Sequence, residues 1–269
     1  MTDTTNAASQ PLLINATIDT ISISFDEAID QGTPRNRILI SYTDKTTGVK
    51  TNKTVSLKNL TQIQIYDESY TLVTYDIVKG SSENDYIQAA TGDAAGRPRI
   101  ILSGHGNDLI YAIDGDIIDG GTGSDLVVIG GHLSDYSGSW RDDGTYVLTN
   151  NITQKKIVLN HVEWVEFLGQ NENDVTLLNL GTKGVDKFNY DPTIAGNMLH
   201  YDGGAGIDRL TMKLPKAEAE SGLQDFSLSL EGGEIRLTNL RYQSTAYLKN
   251  IEQLAIQSYG SRTAELYVS

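Results

Sequence analysis

Glycines and aspartates recur in one fixed pattern at three places along the chain. The stretches SGHGNDLIY (103–111), GGTGSDLVV (120–128) and GGAGIDRLT (203–211) each hold two or more glycines, then an aspartate, then a large apolar residue two positions later. Glycine adopts the positive φ of a sharp turn at little cost. Because a flexible linker would not keep the apolar position, the pattern predicts turns that alternate with short strands whose apolar residues stack inward.

These stretches resemble the nonapeptide GGxGxDxUx of the RTX family, in which U is a large apolar residue. The resemblance implies a parallel β-roll that binds Ca²⁺ at its turns. The chemistry of the residues agrees, because aspartate and uncovered backbone carbonyls are hard oxygen donors and Ca²⁺ takes about 6–8 oxygens in irregular geometry. The alternative is a set of metal-free turns in a β-solenoid.

The spacing of the aspartates predicts which of them lie together. Two nonapeptides make one coil of a roll, so turns on the same edge recur after two repeats. Asp108 and Asp125 are 17 positions apart, and we expect them in neighbouring turns on one edge. Asp85 extends that edge in the degenerate block GSSEND, whereas Asp114 and Asp116 are weaker candidates on the opposite edge.

A second, degenerate block spans 181–211, where Asp186 and Asp208 are 22 positions apart. For Asp85 and Asp186, metal-free turns remain an equal alternative to calcium binding. The predicted calcium ligands are the carboxylates of Asp85, Asp108, Asp116, Asp125, Asp186 and Asp208, together with the backbone at Gly104, Gly106, Gly121, Gly123, Gly204 and Gly206.

A longer unit is repeated three times around these blocks. SLKNLTQIQI ends at Ile65, VLNHVEWVEF at Phe167 and YLKNIEQLAI at Ile256, each after a hairpin-like stretch. Period-two alternation predicts half-buried strands, and only KAEAESGL (216–223) suggests a short helix. We therefore predict an all-β chain in which parallel β-roll or β-solenoid segments alternate with antiparallel β units in a threefold internal repeat.

The repeats also predict where the segments of the chain begin and end. A first antiparallel β unit occupies 1–79, a roll block at 80–131 is followed by a second β unit at 132–180, and a degenerate roll block at 181–211 is followed by a third β unit at 212–269.

Charge and composition limit the partners. The formal net charge is −14 and there are no cysteines. An acidic balance argues against nucleic acid and anionic membranes, which require clustered Lys and Arg. No segment approaches the roughly 18 apolar residues of a membrane span, and the first residues lack the pattern of a cleaved signal peptide. The RTX resemblance implies export through the type I secretion machinery, and the ending AELYVS looks like such a secretion tail, so we expect a secreted, extracellular protein.

The sequence carries no recognised catalytic signature. It has neither HExxH nor GxSxG, and its four histidines are scattered; the resemblance to some RTX toxins offers only the labile Asp191–Pro192 bond for self-cleavage. We expect a non-enzymatic protein that binds extracellular polysaccharide or the cell surface. Aromatic residues such as Trp140, Trp164, Tyr136 and Tyr242 would then stack on sugars, or else pack in the core. The alternatives are an accessory module of a secreted polysaccharide-modifying enzyme, such as an epimerase or lyase, and a solitary enzyme with an unrecognised site.

Overall fold

The computed structural model describes residues 10–25, 37–67, 69–88, 96–169, 174–196, 198–215, 222–258 and 263–267. Regular structure within these ranges consists of β-strands and short 3-10 turns, which confirms the predicted all-β fold. No helix in the described part of the chain is long and apolar enough to cross a bilayer. The helix suggested at 216–223 falls mostly outside the described residues, and its last two positions belong to the 3-10 turn Gly222–Asp225.

The chain divides into two compact units, Met1–Val162 and Glu163–Ser269. This boundary lies inside the segment 132–180 that the repeat pattern assigned to the second β unit. The strands of the first unit are β1 Leu12–Thr17, β2 Ile21–Phe25, β3 Arg37–Thr43, β4 Lys50–Ser56, β5 Gln62–Tyr66, β6 Leu72–Lys79, β7 Tyr86–Ile87, β8 Arg99–Leu102, β9 Leu109–Ala112, β10 Ile117–Asp119, β11 Leu126–Gly130, β12 Tyr136–Trp140, β13 Tyr146–Asn150 and β14 Lys156–Asn160. Those of the second unit are β15 Trp164–Leu168, β16 Val175–Thr182, β17 Lys187–Tyr190, β18 Met198–Gly204, β19 Arg209–Leu214, β20 Phe226–Glu231, β21 Glu234–Asn239, β22 Ser244–Lys249, β23 Gln253–Ser258 and β24 Thr263–Tyr267.

The first unit is built on two rows of parallel strands. β6, β8, β10 and β14 pair side by side, so that Ile77, Ile100, Ile117 and Val158 are in register across one row. β7, β9 and β11 form the second row, and the chain passes from one row to the other between successive strands from β6 to β11. This path is the predicted β-roll, and it puts the turns after β6, β8 and β10 on one edge.

An antiparallel three-stranded sheet, β2–β3–β4, covers one face of this roll. Its Ile21, Ile23 and Ile38 share one core cluster with Ile100 and Ile117 of the parallel row. Strand β8 is consequently buried along its whole length, which explains the apolar run that follows Arg99 in it, because strands covered on both faces lose the polar alternation of half-exposed strands. The antiparallel strands β12 and β13 extend the same row beyond β14.

The second unit repeats this plan. β16, β18 and β22 form one parallel row, and β17, β19 and β23 form the other. β20 and β21 extend the first row in antiparallel fashion, and β24 extends the second. The core between the rows contains Tyr190, Tyr201, Leu210, Met212 and Leu248. Parallel rolls joined to antiparallel strands are therefore present in both units, as the repeats predicted.

Candidate functional site

Three aspartates line up on the edge formed by the turns after β6, β8 and β10. The backbone N–H of Asp85 donates to Oδ1 of Asp108 at 2.8 Å, and the N–H of Asp108 donates to Oδ1 of Asp125 at 2.8 Å. The carboxylates of Asp108 and Asp125 are thus each bonded to the backbone of the neighbouring turn. We call Asp85, Asp108 and Asp125 the first ladder. The sequence spacing correctly predicted that these three residues lie together on one edge.

Two of the three members of the first ladder are buried. Asp108 is 2% exposed and Asp125 is 0% exposed. The second carboxylate oxygen of Asp108, Oδ2, is inaccessible to solvent and has no hydrogen-bond donor among the described residues. A buried polar atom without a partner costs about 1–3 kcal/mol, and more when it is charged. Because native proteins seldom leave such an atom unsatisfied, a bound cation is a direct physical explanation for it.

Glycines keep the turns of the first ladder close together. Gly104, Gly106, Gly121 and Gly123 have φ values of 115°, 108°, 87° and 137°, which side chains rarely adopt. A Cβ added at Gly121 would collide with the carbonyl oxygen of Gly104, and one at Gly123 would collide with that of Gly106. Carbonyl oxygens of one turn therefore lie directly against the glycines of the next. The edge combines carboxylate and carbonyl oxygens, which are the donors that Ca²⁺ prefers.

Asp85, at the end of the first ladder, has donors within its own turn. Its carboxylate accepts hydrogen bonds from the N–H of Ser81 at 2.6 Å and from the Ser81 hydroxyl. A parallel set of amide contacts ties the same turns together: the N–H of Asn107 donates to Oδ1 of Asn84, and Oδ1 of Asn107 accepts from the next turn. Metal-free turn formation therefore explains Asp85 better than it explains Asp108.

The opposite edge of the roll is occupied by an arginine. Asp116 is 0% exposed, and its Oδ2 accepts from Nη2 of Arg99 at 2.6 Å. The same guanidinium donates to the backbone carbonyls of Gln88 and Tyr111 at 3.0 and 2.8 Å, so it takes the oxygens that a metal ion would take. The prediction that Asp116 is a calcium ligand is corrected accordingly. Asp114 is also held by side-chain donors rather than left open.

A second ladder runs through the second unit and consists of Asp186, Asp208 and Glu252. The N–H of Asp186 donates to Oδ1 of Asp208, and the N–H of Asp208 donates to Oε2 of Glu252, both at 2.7 Å. Asp208 is 0% exposed, and its Oδ2 is buried without a donor in the described part of the chain. Asp186 closes its own turn through Thr182, as Asp85 does through Ser81.

The glycines predicted for the second block also adopt turn conformations. Gly204 and Gly206 have φ values of 86° and 135°. A Cβ at Gly206 would collide with the carbonyl oxygen of Gly184. The second ladder therefore has the same close contact between carbonyl and glycine as the first.

Electrostatics single out Asp208. Burial, opposed by the hydrogen bond from the Asp186 N–H and reinforced by the nearby charges of Asp186, Glu252 and Asp202, raises the pKa of its carboxyl from 3.8 to about 6. A carboxylate is hard to ionise where it is desolvated and surrounded by like charge. A divalent cation at this place would remove both penalties.

Glu252 was missed in the sequence because it lies 44 positions after Asp208, in a β unit rather than in a glycine–aspartate block. The repeat alignment contained a signal for it. Ile251 corresponds to Val162 and to Leu60, so the following residues, Glu252 and Glu163, share a position where the first copy has Thr61.

Another pair of buried aspartates confirms that the two units are equivalent. Asp119 and Asp202 each precede a double glycine. Asp119 contacts Nδ1 of His161 at 2.7 Å, and Asp202 accepts from the Asn250 amide at 2.7 Å and from Lys249 at 3.0 Å. His161 and Asn250 both have positive φ, 47° and 52°. This equivalence supports a structural role for His161.

The described residues contain no group of three or more His, Cys, Asp or Glu side chains close enough to hold one ion together. An ion at either ladder would therefore take a small number of carboxylate oxygens and complete its coordination with backbone carbonyls and water, which Ca²⁺ accepts readily.

No family model matches the chain, and no curated protein matches it. Among solved structures, the chain is similar to the extracellular lipase LipA from Serratia marcescens, with 15% sequence identity and a TM-score of 0.29. The match covers 65% of this chain and 38% of the lipase, so the chain spans well under half of that enzyme's length. A likeness this weak transfers neither an activity nor a ligand to this chain.

Proposed function

We propose that the protein is an RTX-like β-roll protein that binds Ca²⁺ at its two ladders. One observation carries the proposal: each ladder contains a buried carboxylate oxygen to which none of the described residues donates, Oδ2 of Asp108 in the first and Oδ2 of Asp208 in the second. Both lie on turn edges where carbonyl oxygens press against glycines. A metal-free solenoid does not explain why both units bury a carboxylate oxygen in this way.

The proposed ligands follow from this geometry. In the first ladder, Asp108 and Asp125 would supply carboxylate oxygens, and in the second Asp208 would do so, flanked by Asp186 and Glu252. The bound ion would supply the positive charge that offsets desolvation and repulsion. Backbone carbonyls would come from the turns that contain Gly104, Gly106, Gly121, Gly123, Gly204 and Gly206.

Calcium binding at these sites would be linked to folding. The ladders exist only in the folded chain, so an ion that binds them stabilises the folded state by mass action. Extracellular calcium modules often bind with a Kd of about 10⁻⁴–10⁻³ M. At a free calcium concentration of roughly ten times Kd, each site would contribute about 1.4 kcal/mol.

This linkage suggests where the protein acts. Weak sites fill only where calcium is abundant, which favours an extracellular setting after export through the type I secretion machinery. There the protein would serve as a non-enzymatic adhesion, polysaccharide-binding or matrix protein. Its net charge of −14 disfavours strongly anionic partners.

A calcium titration followed by circular dichroism and thermal unfolding tests the proposal. We expect the melting temperature to rise with calcium and to rise less with magnesium, which demands a smaller octahedral site. Asp108→Asn should lose part of the calcium effect while keeping the fold, because the asparagine Oδ1 can still accept the Asp85 N–H. Asp142→Asn, in an exposed turn, is the control and should respond like the wild type. Melting that ignores both calcium and chelator in the wild-type protein would refute the proposal.

A further inference from the structure

The first unit contains a cavity of about 430 Å³ between two of its layers. One wall is formed by strands β3 and β4 of the covering sheet, with Tyr42, Lys50 and Asn52. The other is formed by the end of β12 and the turn that follows it, with Trp140 and Asp142. This volume lies within the range of about 300–1,000 Å³ that small-ligand sites occupy.

Hydrogen bonds and an ion pair hold the segments around the cavity together. Arg141, in the β12–β13 turn, donates to the carbonyls of Ile18 and Ile21 at 2.8 and 3.0 Å. Asp19, at the rim, forms an ion pair with Lys156 of β14. A site whose walls are already ordered loses less conformational entropy when a ligand binds.

The lining chemistry fits a sugar. Trp140 is half-buried, and its ring meets the ring of Tyr146 edge-on at 4.9 Å between centroids. Of the four aromatic residues that the sequence offered for sugar stacking, Trp140 lines this cavity. The remaining lining is rich in hydroxyls, amide and charged groups, including Ser41, Thr43 and Asn52. Such side chains donate to and accept from ligand hydroxyls, while aromatic rings provide an apolar contact with a polar edge.

The charges of the lining narrow the ligand class. The carboxylates of Asp142 and Asp143 are matched in the lining by the cations of Lys50 and Arg141, and the Asp19 carboxylate is paired with Lys156. A phosphate or uronate ligand would therefore meet no excess of positive charge here, and it would meet net negative charge in the protein as a whole. A purely apolar ligand would leave the polar lining unsatisfied. A neutral, polyhydroxylated ligand suits both constraints.

We infer that this cavity binds a sugar unit of a neutral polysaccharide, with Trp140 in contact with the sugar ring and Lys50 and Asn52 bonded to its hydroxyls. The inference rests on the proposed polysaccharide-binding role and names its ligand class and its site. Lys50 and Asn52 are exposed on β4, so both can be replaced without opening the core.

Native affinity electrophoresis tests the inference, with calcium-loaded protein in gels that contain laminarin, dextran, galactomannan or the anionic polymer alginate. We expect at least one neutral polysaccharide to retard the wild-type protein and alginate not to. Lys50→Ala and Asn52→Ala should each weaken that binding about fivefold, the loss expected for one hydrogen bond. Trp140→Ala should weaken it more. Lys53→Ala, an exposed β4 residue that does not line the cavity, is the matched control and should bind normally.

Melting curves of the same samples separate the two proposals. If Trp140→Ala unfolds the protein, the Lys50 and Asn52 variants still decide the question. This inference is overturned, and the calcium proposal stays intact, if calcium stabilises the protein but no neutral polysaccharide retards it. The same holds if the calcium-stabilised protein binds only alginate. Binding that is unchanged in both β4 variants would also overturn it. Saccharide binding by a protein that does not respond to calcium would support this cavity and refute the ladders as calcium sites.

Discussion

Replacing Asp208 by asparagine should stabilise the calcium-free protein, although most substitutions of buried residues destabilise. Asparagine keeps an oxygen that accepts the Asp186 N–H, which the wild-type Oδ1 accepts at 2.7 Å. It removes the negative charge that burial and the neighbouring carboxylates oppose. The same change removes a proposed calcium ligand. Calcium should therefore stabilise the second unit less in this variant, even though the variant is more stable without calcium.

The magnitude follows from the pKa of Asp208. The pKa of Asp208 is raised from 3.8 to about 6 in the folded state, so the folded protein binds this proton more tightly than the unfolded chain does. The stability that comes from this proton is fully present below pH 3.8 and is lost as the pH rises through 6. The difference of about two pH units, at 1.36 kcal/mol each, corresponds to about 3 kcal/mol. Asp208→Asn should thus resemble the wild type near pH 4 and exceed it by about 3 kcal/mol at pH 8, or roughly 10 °C in melting temperature.

The assay is thermal unfolding in calcium-stripped buffer at pH 4, 5, 6 and 8, with Asp225→Asn, at a half-buried position of the same unit, as the control. The control should show a small difference from the wild type that changes little with pH. A melting temperature of Asp208→Asn no higher than that of the wild type at pH 8, or a difference that does not grow between pH 4 and pH 6, would show that the Asp208 charge does not destabilise the fold.

Three further substitutions test other parts of the structure. Gly121→Ala should lower the free energy of unfolding by at least about 2 kcal/mol, because it adds a collision with the Gly104 carbonyl to a φ of 87°. Gly48→Ala, with a φ of 71° but open space around it, should lower it less in the same urea denaturation. Equal losses in the two variants would contradict the close approach of Gly121 to the Gly104 carbonyl. Arg99→Met should lower the free energy of unfolding by about 3–5 kcal/mol, because it leaves the buried Asp116 carboxylate without its arginine. Adding Asp116→Asn to this variant should recover part of that stability in urea denaturation, and no recovery would argue against the ion pair. Glu252→Gln should lower the pKa of Asp208 in calcium-free protein, because a like charge is removed; NMR titration of the Asp208 carboxyl carbon would show it, and an unchanged midpoint would exclude the electrostatic contact.

Local patterns predicted the first ladder well. Asp108 and Asp125 recur after one coil of a roll, and the backbone of each turn is fixed by glycines whose role is visible in the sequence. The regular length of the repeat then places successive turns side by side, so the contacts of the first ladder follow from the spacing. The same reasoning identified Asp186 and Asp208, although their block is degenerate, because the apolar position after each aspartate is kept.

Contacts between distant segments were harder to predict. Arg99 lies in a strand that reads as core, and nothing in its local sequence shows that its guanidinium reaches Asp116, 17 positions away. Glu252 joins the second ladder only because β22 pairs with β18, which brings a turn of an antiparallel unit beside a roll turn. The cavity beside Trp140 likewise depends on how the sheet β2–β3–β4 lies on the first roll.

Anomalous diffraction from crystals grown with calcium, or soaked with a lanthanide in its place, would locate the ions at the two ladders. We expect peaks about 2.3–2.6 Å from Oδ2 of Asp108 and from Oδ2 of Asp208 for calcium, and none beside Asp116, where Arg99 already supplies the positive charge. Crystals with saturating calcium that show no anomalous peak at either ladder, or a peak only beside Asp116, would contradict the assignment of these turns as calcium sites.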